Sequence, residues 1–180
     1  LEKFRPNNLF RIHLNSNYYY SIPFLNHYTI SLSSALGWIS ENDVDSFFHF
    51  YLGGMPGIKG YPFYSIQGTK KIFLDATFRV PIFIGKHYKL RWMTIQNGMI
   101  GFISQIGDAW SYGDLSIKKS FGIQLRINGF SFYNFPTAIE LEYHQPITTF
   151  NRIINNKTIT YGPDENGNNS KTYVKVLFDF

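Results

Sequence analysis

The sequence contains no cysteine among its 180 residues, and only 16% of the residues are charged. Without cysteine, a disulfide framework, a thiolate nucleophile and a thiolate metal site are all excluded. Long apolar runs are missing as well, because no segment reaches the roughly 18 consecutive apolar residues that a membrane-spanning helix needs. We therefore expect neither a helical membrane protein nor a disulfide-stabilised scaffold.

Concentrated positive charge is also lacking, although the formal net charge is +5. The densest basic spots are the pairs Lys70-Lys71 and Lys118-Lys119, which are too short for a nucleic-acid-binding stripe. Nucleic acid is therefore not an expected partner.

Signatures of catalysis and of metal binding are absent in the same way. The histidines show no ligand spacing, and no nucleophile elbow, phosphate loop or dinucleotide fingerprint is visible. We expect no enzymatic activity, no catalytic residues, no cofactor and no metal. The five histidines are His13, His27, His49, His87 and His144.

Aromatic residues, in contrast, are abundant at 19% of the chain, and they favour β-strands. Polar and apolar residues alternate with period two in segments separated by Gly, Asn, Pro and Ser, as residues 120–128 do without interruption. The sequence therefore predicts an all-β, antiparallel single domain with about eight strands. They are expected near residues 4–14, 27–38, 46–52, 71–80, 99–107, 120–128, 138–147 and 173–180.

Two architectures produce such alternation, a soluble sandwich or barrel with apolar residues inside and a membrane barrel with apolar residues outside. The alternation alone does not separate them. The apolar faces are saturated with Phe, Ile, Leu and Tyr, and long and shorter connections alternate along the chain, which favours the membrane barrel. The last segment points the same way, since its apolar face runs on to Phe178 and Phe180.

The segment after residue 52 carries a glycine-rich motif. Gly53-Gly54 is followed by Gly57-Ile58-Lys59-Gly60-Tyr61. This pattern resembles the Gly-Gly then Val/Leu-Arg-Gly-Tyr/Phe loop of the bacterial surface antigen family, the outer-membrane barrels of BamA and TamA type. Other segments resemble that family's strands in the same order and at its spacing. They are residues 78–82, 101–110, 120–126 and 138–147, and Phe178-Asp179-Phe180.

The resemblance covers roughly residues 46–180 and implies an antiparallel transmembrane β-barrel in the bacterial outer membrane. Residues 1–180 would be the C-terminal part of the barrel domain, the second half of a sixteen-stranded barrel. The implied function is the insertion or translocation of proteins at the outer membrane. The implied partners are outer-membrane lipid and lipopolysaccharide, the barrel-assembly machinery during biogenesis, and upstream barrel strands with periplasmic domains or other subunits.

The resemblance also implies a site, because the family's loop folds into the barrel lumen. Residues 53–68 would then be a lumen-inserted loop, and Phe178 and Phe180 the C-terminal signal that the assembly machinery reads. The motif residues would be Gly57, Ile58, Lys59, Gly60 and Tyr61, and their inner-wall partners Gln105 and Gly107.

One departure from the family concerns charge. The family's loop Arg meets an Asp on the inner wall, whereas the corresponding residues here are Lys59 and Gln105. A hydrogen bond from the ammonium to the amide is worth about 1.5 to 3 kcal/mol when buried, but the bidentate fork of Arg is lost. We expect Lys59 to lie inside, with its ammonium near Gln105 or an inward carboxylate.

Two alternatives remain open at this point. A closed eight-stranded barrel would also fit the length, although its lumen is filled by its own side chains and leaves no room for a loop. In function, a structural or anchoring barrel that holds a periplasmic domain or surface complex, without insertase activity, competes with an insertion or translocation barrel. The inward charges are expected to balance one another; they are Asp75, Glu140 and Glu142 against Lys71, Arg79, Arg126 and Lys175.

Overall fold

The structure, a computed structural model, describes residues 9–132, 134–154, 157–164 and 169–178. The predicted all-β fold is confirmed, and most strands are long. They are β1 Arg11–Ser21, β2 Thr29–Ile39, β3 Phe50–Tyr51, β4 Gln67–Gly68, β5 Lys70–Phe83, β6 Tyr88–Lys89, β7 Met93–Trp110, β8 Lys118–Ser131, β9 Phe135–Pro146, β10 Phe150–Ile154, β11 Lys157–Tyr161 and β12 Lys171–Phe178. In the described ranges no helix is long and apolar enough to cross a membrane.

One large antiparallel sheet dominates the fold, as the alternation predicts. Its strands are hydrogen-bonded in the order β1-β2-β5-β7-β8-β9-β12, and β6 adds a short pairing to β7. Two small ribbons, β3 with β4 and β10 with β11, belong to the connections that follow β2 and β9. Within the described residues β1 pairs only with β2 and β12 only with β9, so the sheet has two open edges and no closed barrel is seen.

The two faces of this sheet have the reverse of the usual polarity. On β8 the buried side chains are polar, with Ser120 and Gln124 only 1% and 2% exposed, whereas Phe121, Ile123 and Leu125 are 42%, 45% and 37% exposed. We call the two sides the polar face and the apolar face. The polar face includes Ser31, Ser33, Asp75, Thr77, Arg79, Gln105, Gln124, Arg126, Glu140, Glu142, Tyr173 and Lys175. The apolar face includes Leu14, Leu32, Leu36, Leu74, Phe102, Ile106, Phe121, Ile123, Leu125, Leu141, Tyr143, Val174, Val176 and Phe178.

Of the strand predicted at residues 46–52 only Phe50–Tyr51 forms, and it lies outside the large sheet, whose eight strands are seven long ones and the short β6. Ser46–Phe48 form a 3-10 turn, because the Asp45 carboxylate accepts a hydrogen bond from the backbone N–H of Phe47 at 2.8 Å. Only Phe50 and Tyr51 are extended there. The apolar spacing of this segment imitates a strand, while the acidic cap favours a turn.

Other boundaries shift without changing the order of the long strands. Within the described residues the first strand begins at Arg11, and the start predicted at residue 4 lies outside them. The break expected at residues 85–98 is shorter, since β7 begins at Met93. The connection expected at residues 150–170 is not a plain loop, because it contains the β10–β11 hairpin.

Candidate functional site: a loop folded onto the polar face

The segment between β3 and β4 folds back and packs against the polar face of the sheet. Its backbone closes on itself, since Ile58 N–H donates to Leu52 O at 2.7 Å and Leu52 N–H donates to Ile66 O at 3.0 Å. Its apolar side chains form the main buried cluster among the described residues, together with the strand residue Ala109. The members from the segment itself are Leu52, Ile58, Tyr61 and Ile66.

Two glycines of the motif permit this path because a side chain would not fit. A Cβ on Gly57 would lie 2.0 Å from the carbonyl oxygen of Leu52, and one on Gly60 would lie 2.7 Å from Ser120 Cβ and 2.9 Å from the backbone nitrogen of Pro146. Packing therefore requires glycine at these two positions, because residues 57–60 lie close against β8 and the end of β9.

Gln105 fastens the loop to the sheet through its side-chain amide. Its Oε1 accepts the backbone N–H of Lys59 at 2.8 Å and its Nε2 donates to the carbonyl oxygen of Gly57 at 3.1 Å. The same Nε2 donates to Asp75 on the neighbouring strand at 2.6 Å, and Ser120 Oγ donates to Oε1 at 3.1 Å. A side chain that is 1% exposed is thus fully hydrogen-bonded, as buried amides require.

The ammonium of Lys59 reaches past Gln105 to an inward carboxylate. Its Nζ lies 2.7 Å from Glu142 Oε2, and these two side chains are 14% and 1% exposed. Burial lowers the pKa of Lys59, and the negative charge of Glu142 acts in the opposite direction. The structure places Lys59 beside both of the partners named from the sequence, the backbone at Gln105 and the ammonium at Glu142.

Glu142 is the centre of a charge network that joins β8, β9 and β12. It accepts from Lys175 Nζ at 2.8 Å and from Gln124 Nε2 at 2.8 Å. Its neighbour Glu140 pairs with Arg126 at 2.8 Å and lies 3.4 Å from the Lys175 ammonium. The network is buried and each carboxylate has more than one partner, which is what offsets the cost of removing the charges from water.

Tyr61 is the buried anchor at the end of the motif. Its hydroxyl donates to Thr148 O at 2.7 Å, lies 3.0 Å from Lys119 O and accepts the backbone N–H of Thr148 at 3.1 Å. The residue is 0% exposed, and burial raises the pKa of its phenol, so the group stays protonated and can donate. The contact holds the loop against the start of β8 and the end of β9.

The remaining site residues named from the sequence occupy different places. Gly107 gives room for the loop, because a Cβ there would lie 3.0 Å from Leu52 Cδ2. Phe178 lies on the apolar face of β12, opposite Thr137 and 63% exposed, far in the sheet from the loop contacts. Phe180 lies outside the described residues. No group of three or more His, Asp or Glu side chains able to hold a metal comes together in the described part of the chain.

Sequence reasoning missed two contributors to the site. Tyr173 on β12 donates its hydroxyl to the carbonyl oxygen of Lys59 at 2.9 Å, and His144 on β9 lies with Nε2 3.3 Å from Glu142. Alternation places both side chains on the polar face with Glu142, and that signal was available. The contact of Tyr173 with the loop depends on how far the loop reaches across the sheet, which no local pattern encodes.

Comparison of the chain with protein-family models, with curated proteins and with solved structures finds no match.

Proposed function

We propose that this chain is part of a transmembrane β-barrel of the bacterial outer membrane, of the surface antigen type to which its motifs are similar. The observation that carries the proposal is the polarity of the sheet, whose exposed face is apolar and whose buried face is charged and hydrogen-bonded. A lipid-facing surface and a wet interior require this arrangement, whereas a soluble sheet of this size would hide its apolar side.

Strand length supports the same proposal. Crossing the hydrocarbon layer takes about 9 to 11 residues in a tilted strand. The first six long strands contain 11, 11, 14, 18, 14 and 12 residues. Each of them is therefore long enough to span.

Aromatic side chains collect near both ends of the sheet, as they do at the two interfaces of outer-membrane barrels. At one end Phe10 and Trp38 meet edge to face with ring centroids 6.3 Å apart. At the other end Trp92 and Phe132 stack at 6.4 Å. Trp38 and Trp92 are 43% and 45% exposed, so both are available to a lipid interface.

Within such a barrel, we propose a role in inserting or translocating proteins at the outer membrane, assisted by the folded-back loop. The partners would be lipid and lipopolysaccharide outside the barrel, and the assembly machinery during its biogenesis. The role is mechanical, with no catalytic residue. A structural or anchoring barrel is the second candidate, and the Gln105 contact favours it, since this amide binds the loop through its backbone at Lys59 and Gly57 rather than through a charged side chain of the loop.

Depth-resolved quenching by brominated lipids tests the membrane proposal. In vesicles, single-tryptophan variants that keep Trp38 or Trp92 should be quenched by bromine near the headgroups, and Leu125→Trp in a tryptophan-free background by bromine near the bilayer centre. Quenching of none of them, or a monodisperse protein in buffer without detergent, contradicts the proposal.

A second experiment separates the two roles. Vesicles that contain the chain should accelerate the folding of an unfolded small outer-membrane barrel if the chain inserts proteins. Insertion rates equal to those of empty vesicles, with the chain still quenched by brominated lipid, favour the anchoring role.

A further inference from the structure

We infer that a cavity at the end of the sheet where β7 ends and β8 begins binds an oxoanion of the phosphate type. The cavity has a volume of about 250 Å³ and opens to solvent. Its walls come from β4, β7, β8, β10 and the connection before β3. The site goes beyond the proposed function and does not depend on it. The polar side chains used below are His49, Gln67, Lys118, Asn151 and Arg152.

The charges on the cavity wall leave one cation uncompensated. The Lys118 ammonium is already paired with Asp108, with 2.5 Å between Nζ and Oδ1. Arg152, in contrast, forms no ion pair with a carboxylate in the part of the chain that the structure describes. No described Asp or Glu lines the cavity. An anion bound there would therefore neutralise the guanidinium of Arg152.

The guanidinium of Arg152 is held in place through one nitrogen and keeps the others available. Its Nη1 donates to Tyr64 O at 2.6 Å and to Ser65 O at 3.1 Å. Nε and Nη2 form no hydrogen bond with any described residue. Because the N–H groups of Arg form a planar fork, the two free nitrogens can donate side by side to two oxygens of one anion.

His49 adds a donor for which the fold provides no regular hydrogen bond. Both ring nitrogens are buried and neither forms a hydrogen bond of normal geometry with the described residues, although the Val44 carbonyl is near. Burial lowers the pKa of this imidazole, against the opposing influence of Val44 and Asp45, and Arg152 lowers it further. The ring is therefore neutral near pH 7.5 and has one N–H, which an oxygen of the anion would accept.

The distribution of donors favours a phosphate group over a carboxylate. Gln67 on β4 and Asn151 on β10 also line the cavity. Asn151 Oδ1 accepts from Thr160 Oγ1 at 2.9 Å, which leaves its Nδ2 to donate. With His49 and Arg152, the donors come from three different elements. A tetrahedral anion has oxygens in several directions and can use them together, whereas a planar carboxylate has only two oxygens.

The size of the cavity limits what can be attached to the phosphate. Its volume of about 250 Å³ lies below the range of about 300 to 1,000 Å³ that is usual for sites of drug-sized ligands. A free phosphate or a phosphate with one small substituent therefore fits, whereas a whole phospholipid does not. Free phosphate and a sugar phosphate present the same chemistry to Arg152 and His49, so the experiment must distinguish them.

Isothermal titration calorimetry with three ligands tests the inference. The chain is kept near pH 7.5 at constant ionic strength, in non-ionic detergent or in whichever buffer keeps it monodisperse. It is titrated with inorganic phosphate, with glucose 1-phosphate and with acetate. At least one of the two phosphate compounds should bind, and acetate should not. Tighter binding of inorganic phosphate assigns the site to the free anion, and tighter binding of the ester assigns it to a phosphorylated sugar.

Two variants locate the binding site. Arg152→Gln keeps a donor for the two backbone carbonyls but loses the charge, and it should weaken phosphate binding about tenfold or more. His49→Phe keeps a ring and removes its N–H, and it should weaken binding about two- to tenfold. Arg91→Gln is the matched control, because Arg91 is exposed at the opposite end of the sheet, and it should bind like the original chain.

Two further measurements guard against a folding defect. Arg152→Lys keeps the charge without the planar fork, so it should bind with an affinity between those of the original chain and Arg152→Gln, and it decides the matter if Arg152→Gln does not fold. Phosphate should raise the melting temperature of the original chain and of Arg91→Gln more than that of Arg152→Lys.

Three results overturn the inference. They are no binding of either phosphate compound, binding of acetate as tight as that of phosphate, and phosphate binding that is unchanged in both the Arg152 and the His49 variants. None of them affects the membrane proposal, because quenching by brominated lipids tests that proposal separately.

Discussion

The Lys59 ammonium lies 2.7 Å from a carboxylate oxygen of Glu142, a residue that follows it by 83 positions in the chain. This ion pair couples the folded-back loop to β9, and through Lys175 it couples both to β12. The two partners are not equivalent, because Glu142 has other cationic and amide partners while Lys59 has this one carboxylate among the described residues.

Removing either partner should therefore have unequal effects. Lys59→Met leaves Glu142 paired with Lys175 and should lower the free energy of unfolding by about 1 to 3 kcal/mol, as for one lost charged hydrogen bond. Glu142→Gln leaves the largely buried Lys59 ammonium without a carboxylate and Lys175 with Glu140 alone, and should cost about 3 to 5 kcal/mol. Denaturant unfolding in detergent measures both, and Lys59→Arg is the charge-retaining control. Equal costs for the two changes would contradict the unequal roles.

Two leucines of similar exposure provide a test of the apolar face. Leu125 on β8 is 37% exposed and Leu115, in the connection between β7 and β8, is 46% exposed. If the face meets lipid, Leu125→Arg should cost about 2 to 4 kcal/mol in vesicles, while Leu115→Arg outside the strands should cost about 1 kcal/mol or less. If the apolar face meets water instead, Leu125→Arg should cost as little as Leu115→Arg.

The polar face does not offer a neutral position at Gln124, although the alternation alone suggests one. Gln124 accepts from Arg79 Nε at 3.0 Å and donates to Glu142 at 2.8 Å. Gln124→Arg would place a second guanidinium against Arg79, so we expect it to destabilise the sheet rather than to be tolerated. Denaturant unfolding of Gln124→Arg and of Leu125→Arg measures the free energy that each change costs, and no loss of stability in Gln124→Arg would contradict this expectation.

Gly57 should be intolerant of any side chain. In Gly57→Ala the new Cβ would lie 2.0 Å from a backbone oxygen, so the loop must move, at a cost of about 1 to 3 kcal/mol. Gly85→Ala is the control, because its Cβ would meet no atom within 4 Å and only its positive φ of 65° adds strain, about 1 kcal/mol. Limited proteolysis of residues 53–66 should rise in Gly57→Ala alone.

Removing the hydroxyl of Tyr61 should lower the free energy of unfolding even though the buried ring is kept. Tyr61→Phe leaves the backbone N–H of Thr148 without its acceptor inside the protein, which should cost about 1 to 3 kcal/mol. Tyr112→Phe is the matched control, since Tyr112 is 64% exposed and its hydroxyl binds Asp43 at the surface. A cost within about 0.5 kcal/mol for both would mean that the Tyr61 contacts add no stability.

Acid should weaken the connection that precedes the loop. Burial lowers the pKa of His49 below its ordinary value, an effect larger than the opposing one of the nearby Asp45, and Arg152 lowers it further. The unfolded chain therefore takes up the proton first, so stability falls as the pH drops below about 6.5. The melting temperature should decrease between about pH 7.5 and pH 5.5, and His49→Gln should flatten that decrease. An unchanged slope in His49→Gln would contradict this origin.

The faces of the strands were predictable because side-chain alternation is local. Residues 120–128 assign their own polar and apolar sides without knowledge of any neighbour. The partner of Lys59 was predictable only as a class, since the approach of the loop depends on contacts of Gly60 with Ser120 and Pro146. Residues 46–52 misled because their apolar spacing fits a strand, and the cap from Asp45 decides the local structure.

The contacts of the folded-back loop are unevenly distributed over the sheet. They tie the loop to β7, β8, β9 and β12 by hydrogen bonds and ion pairs, whereas β1 receives from residues 46–66 only the ring contacts at Phe50 among the interactions described above. Under a pulling force β12 would resist as a braced element, because its backbone ladder and the bonds of Tyr173 and Lys175 must break together. The first strand would instead unzip from β2 one rung at a time. The mechanical strength of the sheet is thus uneven, with its last strand held firmly and its first strand held weakly.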